Sequence, residues 1–473
     1  MSRVRRATPR IREFLGDSLT PVAAYRRLDT DSPRFLLESV TGGEQVSRYS
    51  FLGGRPSALY RLYEEALEVE TADGVERLEG APLERLREVI GGIEAEPGPI
   101  PFLGGFVGYF GYDVIRLRER LPNRPSDPFG LPLAMLARID SLLVFDHARQ
   151  RLLAVANEIE GEVDAAEAEA ELDRLQVLLT APARAGAEVL PEPGIPAPAA
   201  KASLSSEGFQ AAVIAAKEHI VRGDIFQVVL ARRFRLGAAV EPTSLYRAAR
   251  AVNPSPYMVL FETPEVALVG ASPEMLVRKT GRRLEMRPIA GTRGRGGTPE
   301  ADDALAEELL ADAKERAEHV MLVDLGRNDL GRVATPGSVK VSNFMEIERY
   351  SHVMHICSSV EAEMRDDCDA LDVLLACFPA GTVSGAPKIR AMELIDQFEP
   401  EARGPYAGAF GYLSFAGDLD TCISIRTLVV HEGSVSVTAG AGIVADSDPA
   451  AEEDETERKA AALLTAADVA RRL

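Results

Sequence analysis

The chain has 473 residues, room for two domains of ordinary size or one large unit with an appendage. Hydrophobic residues make up 46% and charged residues 27%, the balance of a globular protein, which excludes a fibrous or disordered chain. Against 53 Lys and Arg stand 73 Asp and Glu, a formal net charge of −20 that repels nucleic acid and acidic lipid and excludes both as main partners.

No run approaches the roughly 18 apolar residues that cross a bilayer. The basic start, Met1 to Arg6, lacks the apolar stretch of a secretory leader. Cys357, Cys368, Cys377 and Cys422 form no Cys-x-x-Cys pair, so neither a disulfide framework nor a thiolate zinc site is expected. Cytoplasm is the expected compartment. Tryptophan is absent.

In chain order, 104–112 alternates glycine with aromatic and branched residues and reads as a strand. Residues 141–145 and 151–155 read as a hairpin, and 161–180 as an Ala- and Glu-rich helix. Five residues of 191–198 are proline or glycine, which stops both helix and central strand. The chain thus divides into an N-terminal region (1–185), a proline-rich linker (186–202) and a C-terminal region (203–473). In the last, helices are expected at 206–222, 299–325, 386–397 and 450–472. Strands are expected at 225–236, 257–261, 266–270, 284–289, 408–415, 422–430 and 434–439. Strands fall in neighbouring runs and do not alternate strictly with helices, which predicts a mixed α+β fold. Residues 408–413 echo 104–112 weakly, and the pair suggests two sheets packed closely face to face through their glycines.

There is no phosphate-binding Gly-x-x-x-x-Gly-Lys-Ser/Thr loop, no Gly-x-Ser-x-Gly elbow and no His-Glu-x-x-His zinc motif. Two carboxylate pairs stand out instead. Glu315 and Glu318 are three apart on one predicted helix, Glu452 and Glu455 three apart on another. Such pairs can build an oxygen cage for Mg²⁺, but by spacing alone they read first as solvated helix faces. Glu318 abuts the apolar run Val320 to Val323, which draws its end of the helix inward. Glycine turns at 288–293, 378–388 and 440–442 offer free N–H groups to small carboxylates. His352 and His355 share a face in a helix and oppose each other in a strand.

Taken together and in order, the segments Gly270-Ala-Ser-Pro-Glu274, Pro288-Ile-Ala-Gly-Thr292, Glu318-His319 with 322–329, Val353-Met-His355, Ser384-Gly-Ala-Pro-Lys388 and 440–447 resemble the chorismate-utilising enzymes over 203–465. Within that family the chain is similar to the anthranilate synthase large subunits. Ala290 carries the distinction. Relatives that use water, or that make aminodeoxychorismate, have lysine there, as a base or a covalent nucleophile. Alanine can be neither, so the nucleophile must be strong when neutral, and ammonia fits.

The resemblance implies packed antiparallel sheets with helices outside. It implies conversion of chorismate and ammonia to anthranilate and pyruvate through 2-amino-2-deoxyisochorismate, with feedback inhibition by tryptophan. Mg²⁺ would be held by Glu318 and Glu455, with Glu315 and Glu452 assisting through waters. Glu274 would be the general acid, His355 would move the proton in the elimination, and Thr382, also counted among the catalytic residues, would line the site with its backbone. Gly291, Thr292, Gly385, Tyr406, Arg426, Gly440, Ala441 and Gly442 would bind chorismate. Lys388 receives no role. A glutamine amidotransferase subunit would supply ammonia, in an expected assembly of two plus two subunits. The N-terminal region resembles the family's regulatory half more loosely. Glu38 and Ser39, with Pro256, Tyr257, Met258 and Cys422, would bind tryptophan. The alternatives are an enzyme that stops at aminodeoxyisochorismate, an aminodeoxychorismate synthase, or a non-catalytic tryptophan sensor.

Overall fold

Runs of β-branched, leucine and aromatic residues make strands of much of the chain, and the computed structural model pairs them into two large sheets. It describes residues 4–30, 32–40, 48–181, 189–192, 200–237, 239–350 and 353–473. His352 and most of the proline-rich linker lie outside the described residues.

One sheet carries Gln227–Leu236, Ser434–Ile443, Thr427–His431, Ala267–Ser272 and Tyr257–Glu262, and then Arg34–Glu38, Tyr49–Gly54, Ser141–Asp146, Arg151–Ile159 and Arg5–Leu15. The other carries Ile289–Gly294, Val353–Glu363, Arg283–Met286, Met275–Thr280, Leu419–Ile423 and Ala409–Ser414, and then Gly105–Phe110, Ala134–Ile139 and Ala58–Leu62. Each sheet is therefore composite. Met258 pairs with Glu38 in the first and Gly411 with Gly108 in the second. The 186–202 segment divides the chain, while both sheets run through the regions on either side of it.

The glycine-rich echo has a different meaning from the one expected. Gly105–Phe110 and Ala409–Ser414 are antiparallel neighbours within one sheet, not facing sheets. Their glycines relieve crowding along the sheet: a Cβ on Gly108 would lie 1.9 Å from the Met135 carbonyl oxygen. Two other elements also depart from expectation. The 299–325 helix is two helices, Pro299–Ala311 and Ala313–Gly331, broken at Asp312. The Asp312 carboxylate caps the second, accepting from the amides of Lys314 (2.9 Å) and Glu315 (3.2 Å). The 422–430 strand is likewise two, Leu419–Ile423 and Thr427–His431, in different sheets, with Arg426 at φ 48° in the crossing.

Phe35, Phe51, Phe102, Tyr109, Phe261, Phe410 and Tyr412 fill the space between the sheets. Helices Pro242–Val252 and Pro449–Ala470 cover the outer face of the first sheet, packing Leu245, Ala248, Leu463 and Ala467 onto Leu36, Met258 and Val437. Among the described residues no helix is long and apolar enough to cross a membrane.

Candidate active site

Glu274 follows the strand Ala267–Ser272, and its backbone is pinned by the neighbouring sheet. Its carbonyl accepts from the Ile423 amide at 3.0 Å, while Ser272 Oγ donates to the Ile423 carbonyl at 2.7 Å. Glu274 is 5% exposed. Burial penalises its charged form and pushes its pKa up to about 8, against the opposing pull of Thr382, Arg426 and Lys459. Thr382 Oγ1 donates to Glu274 Oε1 at 2.8 Å and fixes the direction of the carboxyl. A carboxylic acid that keeps its proton at neutral pH can serve as a general acid.

His355 lies on the strand Val353–Glu363, which settles the helix-or-strand choice. Its Nδ1 donates to the Gly291 carbonyl at 2.9 Å and lies 3.1 Å from Thr292 Oγ1. A carbonyl can only accept, so the ring carries its hydrogen on Nδ1 and leaves Nε2 as a base. Burial lowers the pKa of His355 and keeps it neutral. The ring of Tyr350 packs edge-on at 5.7 Å. Ala290 is buried on the same strand as Gly291.

The glycine turns converge on this region. A Cβ on Gly440 would lie 2.8 Å from the Tyr406 hydroxyl, so only glycine admits that ring. Gly385 pairs through its backbone with Val228, on the strand that also pairs with Gly440, Ala441 and Gly442. Arg426 is half-buried, acts on Glu274 through its charge, and forms no ion pair among the described residues. A half-buried guanidinium without an ion-pair partner suits a substrate carboxylate. Sequence reasoning missed two residues here. Gln227 is 3% exposed, abuts Gly442, and leaves Oε1 without a partner among the described residues. Lys459 donates to the Gly440 carbonyl at 3.0 Å and pairs with Glu455 at 2.6 Å. Its position four residues after Glu455 was the available signal. The structure also places Lys388. Its ammonium lies 2.9 Å from Asp329 Oδ2 and ties the start of helix Lys388–Phe398 to helix Ala313–Gly331.

The two carboxylate pairs face each other across helices Ala313–Gly331 and Pro449–Ala470. Burial raises the pKa of Glu318, and the charges of Glu315 and Glu455 raise it further. Burial also raises Glu452, with Glu455 adding to it. Glu315 points at the His355 end of the site, 3.2 Å from where a Cβ on Gly291 would stand. Among the described residues no three His, Cys, Asp or Glu side chains close into a ready-made cage. Glu455 is drawn to Lys459, and Glu315 to Arg293 at 3.3 Å. An all-oxygen donor set that repels itself this way fits a hard divalent cation.

The two segments expected to form a tryptophan pocket also meet. Leu37, Glu38, Ser39, Pro256, Tyr257 and Met258 line one cavity of about 350 Å³ between the sheets, with Arg278, Phe410, Tyr412 and Asp420 opposite. The Glu38 carboxyl is engaged elsewhere, accepting from Tyr246 Oη at 2.6 Å and pairing with Arg250 at 3.3 Å on the helix-covered side. Asp420 supplies a cavity carboxylate, held by Tyr257 Oη (3.0 Å) and Arg278 Nε (2.9 Å). Cys422 is buried in the core between the sheets and does not line the cavity.

The chain matches the chorismate binding enzyme family over residues 32–465. It is 46% identical to anthranilate synthase component 1 of Acetivibrio thermocellus, over 97% of this chain and 94% of that one. It is 47% identical to anthranilate synthase component 1 of Thermus thermophilus, over 99% of both. The crystal structure of anthranilate synthase component I from Streptococcus pneumoniae superimposes with a TM-score of 0.81 at 36% identity, covering 95% of this chain and 98% of that one. The menaquinone-specific isochorismate synthase from Escherichia coli shares the fold, with a TM-score of 0.72 at 19% identity over 98% of this chain and 95% of that one. Fold, site geometry and full-length likeness agree, and the chain belongs to the chorismate-binding enzymes, on their anthranilate synthase component 1 branch.

Proposed function

We propose that the chain converts chorismate and ammonia to anthranilate and pyruvate, and that the residues above carry the steps. Arg426 and Tyr406 hold the enolpyruvyl carboxylate, and the backbones at Gly291, Thr292, Gly385 and 440–442 line the ring. Glu318 and Glu455, with Glu315 and Glu452 behind them, would hold Mg²⁺ against the ring carboxylate. Bound there, the ion supplies positive charge for an anionic substrate on an acidic protein.

Glu274 gives its proton to the departing ring hydroxyl, which leaves as water. The ammonia nitrogen forms the new bond to the ring, giving 2-amino-2-deoxyisochorismate. His355 then takes the ring proton on Nε2 as the carbon–oxygen bond to the enolpyruvyl group breaks, and the ring becomes aromatic. Ala290 offers no amine to compete with ammonia. The observation that supports this reading best is the pairing of a buried, protonated Glu274 with a neutral His355 whose free nitrogen is Nε2.

No cysteine of the chain sits in a Gly-x-Cys-x-Gly turn, so glutamine use requires an amidotransferase partner, in an assembly of two plus two subunits. The inter-sheet cavity takes tryptophan, with Pro256 and Tyr257 against the indole and Asp420 near the α-amino group; the Met258 side chain packs on the helix-covered face with Glu38. Purified chain with chorismate, Mg²⁺ and ammonium should produce anthranilate fluorescence, and glutamine alone should not. Accumulation of aminodeoxyisochorismate or aminodeoxychorismate in place of anthranilate would defeat the reading.

A further inference from the structure

Each turnover leaves Glu274 as a carboxylate, and a residue only 5% exposed has little direct contact with the bulk water that must return its proton. A small chamber of about 20 Å³ borders Glu274, walled also by Thr382, Arg287, Pro288, Gly326 and Asp329. That is room for about one water molecule. Asp329 is 1% exposed. Its Oδ2 accepts from Lys388 at 2.9 Å, and its Oδ1 is buried with no partner among the described residues. A buried carboxylate oxygen without a donor is costly, and a water in the chamber would supply one. The Lys388 side chain keeps 12% of its surface exposed, so the pair has an outer end at solvent and an inner end at the chamber.

We propose that Lys388, Asp329 and a water in this chamber form the path by which Glu274 regains its proton between turnovers. The inference rests on Glu274 being the general acid. Protons balance over the amination. One leaves Glu274 in the departing water, one is released to solvent by the new ring ammonium, and one returns from solvent through Lys388, Asp329 and the water. Lys388 and Asp329 touch no substrate, and they feed the acid that does.

Gly326→Ala tests this without altering a charge. Its methyl would meet Pro288 and Val360 at 3.7 Å and Met286 at 3.8 Å, ordinary contacts, while taking space from the chamber. In rapid mixing with chorismate, Mg²⁺ and ammonium, Glu274 starts protonated. The first turnover should keep the parental rate within about twofold, and later turnovers should be at least about tenfold slower, or about 1.4 kcal/mol. Asp329→Asn should show the same split, and a small weak acid in the buffer should restore its steady state. Equal slowing of first and later turnovers in Gly326→Ala, or a parental steady state, overturns the relay even if Asp329→Asn fails to fold. Failure of the underlying reading would look different: Glu274→Gln would retain turnover.

Discussion

Glu274→Gln should cost the enzyme its turnover and stabilise its fold, and the gain should depend on pH. Glutamine keeps the shape and still accepts from Thr382 Oγ1, while removing the ionisable group. The ordinary carboxyl value is 4.5, and burial holds Glu274 at about 8. Between these values the unfolded chain has released its proton and the folded chain has not. A raised carboxyl thus contributes stability in acid that drains away as pH rises to about 8. The slope is about 1.36 kcal/mol per pH unit, giving a difference on the order of 3–5 kcal/mol across the window. Urea unfolding of parent and variant at about pH 5 and about pH 8.5 reads this directly, with the variant's advantage growing toward alkaline pH. An advantage that does not change with pH, or parental turnover by the variant, would refute the assignment of a buried, protonated acid.

Thr382→Val removes a hydrogen bond that favours the Glu274 carboxylate. At about 1.5–3 kcal/mol for a charge-assisted bond, the alkaline limb of turnover at fixed free ammonia should move up by about 1–2 pH units. His355→Leu should spare amination and block elimination, so that aminodeoxyisochorismate accumulates by mass without anthranilate fluorescence. The acid limb of elimination in the parent should lie below the ordinary histidine value of 6.5, since burial lowers His355. Glu318→Gln or Glu455→Gln should weaken Mg²⁺-dependent turnover severely at limiting metal while circular dichroism stays parental, and wild-type activity at limiting Mg²⁺ would remove both from the metal assignment. With no tryptophan in the chain, added tryptophan is the only indole present, and its anisotropy on titration should report binding. Ser39→Arg should abolish that signal and the inhibition with it.

The sequence by itself carried what depends on local geometry. Glu315 and Glu318, like Glu452 and Glu455, are three apart, and a helix puts such pairs on one face wherever it lies. The order of Glu274, Ala290, His355 and the glycine turns marked the chemistry and the family because each segment's identity survives without knowledge of its neighbours. What the tertiary structure decided depends on parity and register. One residue's offset in a strand turns a side chain to the other face. That offset sends the Glu38 carboxyl to Tyr246 and Arg250 and leaves Asp420 to face the cavity. Pairing of Gly108 with Gly411, more than 300 residues away, gives the glycine echo its meaning, and no local period announces it. Gln227 looked ordinary in the chain, and Asp329 and Lys388 stood in segments that carry the family resemblance without a role of their own. Their burial, missing partners and shared walls exist only once distant segments close around them, because the cost of an unpaired buried polar atom is set by surroundings that no single segment encodes.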